Sequence, residues 1–273
     1  MPLYRVFHGD GASGNPCWVA PGEAPGEAPG DASGDASGAA LGEAPPPPRW
    51  PAVTRCHTRA VVRGQASIAC FTAASRPIAC CGHGLLATAR YWHEQGWRGS
   101  VQLDGLRCRR QRELTWVEFP RLATRLAAVP DWAERVLGSA PAGAALAGGD
   151  AGYLILEWPQ DFPLRALSLP GSALAAHTAR AVIACAASSG ACRWQLRYFA
   201  PQYGVPEDDA TGSAMRVLAD YCQRRHGCER IDAFQCSPAG GVLHSRVAGD
   251  RVAVGGRVEL MPGCQEGRAR WTT

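Results

Sequence analysis

A polar loop that runs into a helix start occurs twice in this chain, and the repetition narrows the fold to one built from two copies of a single unit. The second copy is the fuller. Residues 199–221 read FAPQYGVPEDDATGSAMRVLADY, in which Glu207 and Asp208 lead into Thr211, Gly212 and Ser213. Met215, Val217, Leu218 and Tyr221 then recur at helical spacing as one apolar face. The first N–H groups of a helix have no internal partner and lie at the positive end of its dipole, so residues 211–214 are suited to hold a carboxylate or phosphate. Asp208 then stands beside a bound anion, a position suited to proton transfer.

The first copy begins at Phe71. A polar stretch leads to Cys81, Gly82, His83 and Gly84, after which Leu85, Leu86, Ala89 and Trp92 share a helical face. Phe71 precedes Gly82 by 11 positions, Phe199 precedes Gly212 by 13, and the two units lie 130 positions apart. Two such units predict a duplicated domain whose helix N-termini face one shared cleft.

The 273 residues suffice for two ordinary cores. No apolar run reaches the length of about 18 residues that a membrane span needs, and the first residues lack the apolar centre of a signal peptide, so the expected compartment is the cytoplasm. Twelve cysteines are scattered without a C-x-x-C pair among Cys185, Cys192, Cys222, Cys228 and Cys236, which predicts reduced thiols and no metal. Every basic residue is arginine; without lysine, Schiff-base chemistry and pyridoxal phosphate attachment are excluded. The net charge is only +4 and the arginines are dispersed along the sequence, a pattern that does not point to nucleic acid.

Residues 21–48 are low complexity, with repeated PGEA and DASG blocks and a run of four prolines, and read as a solvated insertion. The glycine-rich turn before Asn15 and Pro16 reads either as a hairpin connection or as a backbone lining for a ligand. Strands are expected at residues 3–7 and 17–19, around Val61, Ile68 and Cys70, and in two stretches of 99–119, with Arg107, Arg109, Arg110 and Arg112 in a solvated hairpin between them. A helix is expected over 122–137, with Leu122, Leu126, Trp132 and Val136 inward, and the small residues of 140–150 mark a flexible break between halves. Further strands are expected at 153–158, 181–186, 194–199, 231–236, 241–247 and 251–260, and short helical pieces at 164–169 and 173–180. Strand-rich halves, each with one central helix, predict an α+β fold.

With these motifs assembled, the chain resembles the PhzF-like family of phenazine-biosynthesis-type isomerases within the diaminopimelate epimerase superfamily. The resemblance rests on Gly14-Asn15-Pro16 between two strands, on Cys81-Gly82-His83 at the first helix and on residues 207–214, EDDATGSA, at the second. It implies two similar domains, 1–118 and 119–262 followed by a tail at 263–273, each a barrel-like sheet around a central helix. It also implies a cofactor-free site between them, isomerisation or epimerisation of a small carboxylate metabolite, and a homodimer. His83, Asp208 and Ser213 match family site positions. The family places a catalytic glutamate upstream of the first helix, where this chain has His57. Histidine can also accept and return a proton near neutral pH, so two outcomes stand open: an enzyme with altered chemistry, or an inactive ligand-binding or scaffold protein. The superfamily's cysteine-paired epimerases match Cys81 at the first helix but meet Ala210 at the second, which disfavours two-thiol racemisation and leaves Cys81 as a small buried hydrophobe.

The expected catalytic groups are therefore Asp208, His83 and His57, and the expected substrate contacts are Gly82, Gly84, Thr211, Gly212, Ser213 and Asn15. Two of the catalytic groups have a named plainer reading, Asp208 as a helix cap and His83 as a satisfied histidine at a helix start, and for His57 a structural and a functional reading stand level.

Overall fold

A computed structural model of the chain describes residues 2–20, 58–63, 67–72, 77–78, 81–97, 100–103, 105–190 and 193–261. His57, the 21–48 insertion and the 263–273 tail lie outside the described residues. In chain order the elements are β1 (Leu3–His8), β2 (Asn15–Ala20), β3 (Thr58–Arg63), β4 (Ser67–Thr72), β5 (Pro77–Ile78), α1 (Gly82–Glu94), β6 (Ser100–Leu103), β7 (Leu106–Gln111) and β8 (Leu114–Pro120). They continue with β9 (Thr124–Ala127), α2 (Ala133–Leu137), β10 (Gly143–Ala147), β11 (Tyr153–Trp158), α3 (Gly171–Ala175), β12 (Ala181–Ser188) and β13 (Arg193–Phe199). The last are α4 (Gly212–His226), β14 (Arg230–Gln235), β15 (Gly241–Ala248) and β16 (Arg251–Leu260). The fold is mixed α+β.

The strands form one hydrogen-bonded path, β5-β4-β3-β2-β1-β16-β15-β14-β13-β12-β11-β10-β9, with β6, β7 and β8 joining at β16. Pairing is antiparallel except at β2–β3, β11–β12 and β13–β14. The long strand β16 pairs β8 along one edge from Arg251 to Arg257; along the other it pairs β15 from Arg251 to Gly255 and then β1 from Arg257 to Leu260. α1 packs against β1, β2, β3, β7 and β8, and α4 against β9, β14, β15 and β16, so each long helix is enclosed largely by strands of its own half of the sequence.

Strand alternation divides the apolar residues between two buried clusters. Along β11 and β12, Ile155, Ile183 and Cys185 face the main core with both long helices, while Leu154, Leu156, Trp158, Val182 and Ala184 face a second core under α2 and α3. Among the described residues no helix is long and apolar enough to cross a membrane.

Three sequence expectations are corrected. The expected helix over 122–137 is strand β9 followed by the short α2; Thr124 is held to α4 by two hydrogen bonds to the buried Asp220, and Leu126 points outward, 65% exposed. The stretch 140–150, expected as a flexible break, contains β10, paired on both edges; its alanines are small because Ala145 and Ala147 lie in the main core. The arginine run lies on β7, a third strand between β6 and β8, whose inward side chain is Cys108. Seven described cysteines form no disulfide, as expected, whereas Cys228 is disulfide-bonded.

Candidate functional site

α1 and α4 meet head to head. A Cβ placed on Gly82 would lie 2.9 Å from the Cα of Gly212, and one placed on Gly212 would lie 3.2 Å from the Cα of Gly82. A side chain at Gly82 would force the two backbones apart, and one at Gly212 would crowd them. Neither helix has an acidic residue in its first turn, and α4 has no side-chain cap. Two positive helix ends are thus brought to one spot without a carboxylate of their own first turns to offset them.

Phe7 supports this contact. It is a buried aromatic at φ 65°, in a bulge of β1 between Val6 and His8, and its ring lies under Gly212 and against Gly256. A bulky residue in the left-handed region is strained and persists only where its surroundings hold it. Here the bulge re-aims the ring under the start of α4.

Asp208 is half-buried in the loop before α4. Its Oδ1 accepts from Asn15 Nδ2 (2.9 Å) and from the Asp209 N–H (3.1 Å), and its Oδ2 accepts from the Thr211 hydroxyl (2.6 Å). The helix-cap reading of Asp208 does not hold, since Thr211 occupies the cap position and Asp208 bonds the side chain of that residue. Asn15 is wholly buried; its Nδ2 also reaches the Ala210 carbonyl, while its Oδ1 has no partner among the described residues. The glycine-rich turn behaves as a hairpin connection, with the N–H groups of Ser13 and Gly14 donating to the carbonyls of Ala239 and Gly240. Its contribution to the site is to present Asn15.

His83 sits in the first turn of α1, 6% exposed. Burial favours its neutral form, but the Cys81 thiolate, aided by Asp208 and Asp209, outweighs it and raises the imidazole to about 8. Cys81 caps α1: its Sγ accepts from the Gly84 N–H (3.3 Å) and lies 3.7 Å from His83 Nδ1. A hydrogen bond from Cys70, then the His83 charge, overcome burial and hold the thiol well below its usual value. A cysteine at a helix N-terminus beside a histidine is an environment that favours the thiolate, so Cys81, though buried as expected, has a capping role and a neighbour that a plain hydrophobe lacks. The thiols of Cys185 and Cys222 are pushed up, first by burial and then by the nearby Glu157 carboxylate, and stay neutral.

The site is assembled around residues close to the EDDATGSA segment, and the comparisons with known proteins find that segment's surroundings. The model of the phenazine biosynthesis-like protein family matches residues 169–260. An uncharacterized isomerase of Pseudomonas aeruginosa is 32% identical over 190 residues, covering 67% of this chain and 71% of its own. The chain belongs to the phenazine biosynthesis-like (PhzF) family. A second uncharacterized isomerase of Pseudomonas aeruginosa is also 32% identical, over 66% of this chain and 70% of its own. The crystal structure of a PhzF family protein from Enterococcus faecalis superposes with a TM-score of 0.71 at 22% identity, covering 95% of each chain, and shares the fold.

Within this PhzF chain the structure brings together Asn15, Gly82, His83, Asp208, Thr211, Gly212 and Ser213, the last buried in the first turn of α4. Two of the expected substrate contacts have other duties. The Thr211 N–H donates to Gln235 Oε1 (2.8 Å) and its hydroxyl to Asp208, and the Gly84 N–H is committed to Cys81. Gly84 is small because a Cβ there would lie 2.6 Å from Cys70 Sγ and 2.9 Å from Cys81 Sγ.

Sequence reasoning missed the residues that hold the loop. Gln235, at the end of β14 and wholly buried, accepts from Thr211 N and donates to the Asp208 carbonyl (2.6 Å). Ser237 donates to the Asp209 carbonyl (2.6 Å). Glu207 is a structural anchor, making two hydrogen bonds to Arg197 (2.7 and 2.9 Å), which also donates to the carbonyls of Leu164 and Leu167. No local signal marks Gln235 or Arg197. Cys81 did carry one, in its place before a helix start and two residues ahead of a histidine.

Proposed function

We propose that the chain is a cofactor-independent isomerase or epimerase that moves a proton on a small carboxylate metabolite. The observation that carries this reading is the glycine-to-glycine meeting of two helix N-termini whose first turns hold no acidic residue, with His83 and Asp208 beside them. The names of the two Pseudomonas relatives agree with it. In this reading the substrate carboxylate takes N–H groups around Gly82-His83 and Gly212-Ser213, which stabilises negative charge that develops on the adjacent carbon. The unpaired Asn15 Oδ1 offers an acceptor to a hydroxyl or ammonium of the same molecule.

Asp208, or His57 in place of the family glutamate, takes a proton from the carbon next to the carboxylate. His83, protonated near neutral pH, steadies the anion or returns a proton at a second carbon or on the opposite face. The product is a double-bond isomer or an epimer, with no net gain or loss of protons. The reading includes two barrel-like halves with the site between them, residues 1–118 and 119–262, a homodimer and a cytoplasmic setting. In support of the halves, each long helix packs largely within strands of its own half.

The test is incubation of the chain in deuterium oxide with a panel of small chiral and unsaturated carboxylic acids, read by mass spectrometry. Deuterium enters a substrate with the natural chain and not with Asp208→Asn. Exchange undiminished in Asp208→Asn removes that carboxylate from the chemistry. Ligand-induced thermal stabilisation with no exchange for any bound acid favours a binding or scaffold protein instead.

A further inference from the structure

Away from the helix meeting point, a cleft of about 600 Å³ is lined by His93, Trp97, Arg107, Arg109, Arg110 and Arg112. Its size suits a small ligand rather than a protein partner. The arginines come from β7 and the turn after it, and the two other side chains come from the last turn of α1 and the segment that follows. Trp97 is fixed rather than loose: its Nε1 donates to the Ser100 carbonyl (3.2 Å), and its own carbonyl meets His93 Nδ1 (3.2 Å). It nonetheless leaves 38% of its surface exposed.

The charge in this cleft is poorly balanced. Of the four guanidinium groups, Arg109 faces Glu118 across 3.3 Å, and no ion pair among the described residues engages Arg107, Arg110 or Arg112. The C-terminal end of α1 supplies a negative pole worth about half a charge and Glu118 stands across the sheet from Arg107 and Arg109, which still leaves the described cations of the cleft in excess. Arg112 moreover takes φ 56°, an uncommon conformation for a non-glycine residue, at the turn that closes the cleft. Guanidinium groups present planar forks of N–H donors matched to phosphate oxygens, and an exposed indole presents a face on which a flat heterocycle stacks.

We propose that this cleft binds a nucleoside polyphosphate, with Arg107, Arg110 and Arg112 on the phosphates and Trp97 under the base. The site is separate from the isomerase reading and stands or falls without it.

The test is isothermal titration of the full chain with ATP, inorganic tripolyphosphate, adenosine and a single-stranded oligonucleotide. ATP binds saturably at one site, tripolyphosphate binds more weakly, and R107E/R110E weakens ATP by about tenfold or more, a loss of about 1.4 kcal/mol. W97A weakens ATP while leaving tripolyphosphate unchanged. Arg107 and Arg110 are exposed, so an unchanged thermal midpoint confirms that the variant folds; R112E is the second charge reversal if it does not. The proposal is overturned by absence of saturable ATP binding, by equal affinity for ATP and tripolyphosphate, by ATP affinity unchanged in the charge-reversed chain, or by an oligonucleotide that binds more tightly than ATP.

Discussion

Gly82→Ala places a methyl group 2.9 Å from the Gly212 Cα, 3.3 Å from its carbonyl carbon and 3.4 Å from the Ser213 nitrogen. All three are backbone atoms at the start of another helix, so no side-chain rotation relieves the contact. On an isolated helix the same change is favourable by up to about 1 kcal/mol, because alanine loses less backbone entropy. Overpacking a core by one methyl costs about 1–3 kcal/mol, and the rigid surroundings put this case in the upper part of that range. The expected net loss is about 1–2 kcal/mol, lowering the thermal midpoint by about 2–4 °C for each kcal/mol. Gly212→Ala is expected to cost less, since its nearest neighbours are the Gly82 Cα at 3.2 Å and the Phe7 ring at 3.3 Å. Urea denaturation of both variants checks the order, and NMR titration of His83 reports whether the helix ends have separated. A Gly82→Ala chain as stable as the natural one would refute the close approach of the two helix starts, and with it the shared anion cradle.

Other perturbations read other parts of the site. Glu207→Gln leaves the Arg197 guanidinium, 6% exposed, without its counter-charge and should cost about 3–5 kcal/mol in urea denaturation, with much of that recovered in Arg197→Met/Glu207→Leu. Gln235→Leu strands the Thr211 N–H and the Asp208 carbonyl, at about 1–3 kcal/mol for each buried group, and should abolish deuterium exchange along with the loop geometry. His83 is raised from its usual 6.5 to about 8, so the stability it contributes is complete below pH 6.5 and lost as pH rises through about 8; in Cys81→Ala its NMR titration should move down and this loss should shrink. Iodoacetamide at neutral pH should label Cys81 ahead of Cys185 and Cys222, and peptide mass mapping that finds Cys81 unreactive would argue against the thiolate.

The parts of the site that were legible in the sequence are those whose chemistry is local. A helix start is announced by the residues around it, so Gly82, His83, Gly212 and Ser213 could be placed at two N-termini from spacing alone, and Asp208 beside one of them. The strands of the C-terminal half were legible for the same reason, since β14, β15 and β16 alternate or run apolar within short, turn-bounded segments. Misreadings arose where a distant partner overruled local pattern. The apolar spacing from Leu122 to Val136 suits a helix, yet Thr124 bonds Asp220, which stands 96 residues away, and β9 pairs β10. The small residues of β10 look like a linker until a core closes over Ala145 and Ala147.

The sequence by itself determined that two loop-helix units exist, because helix initiation depends on backbone groups and side chains within one turn. Only the tertiary structure decided that the two glycines touch, since that contact joins residues 130 positions apart through a sheet in which β16 links both halves. The same holds for the polar groups. Residue type gave Asp208, Asn15 and Cys81 their capacities, but the folded chain set the hydrogen bonds and burial that hold a carboxylate in place, leave an amide oxygen unpaired among the described residues, and lower the Cys81 thiol beside His83. Arginines that the linear sequence spaced along a hairpin became the wall of a cleft only when β7 folded alongside the end of α1, because charge density is a property of volume and not of chain order.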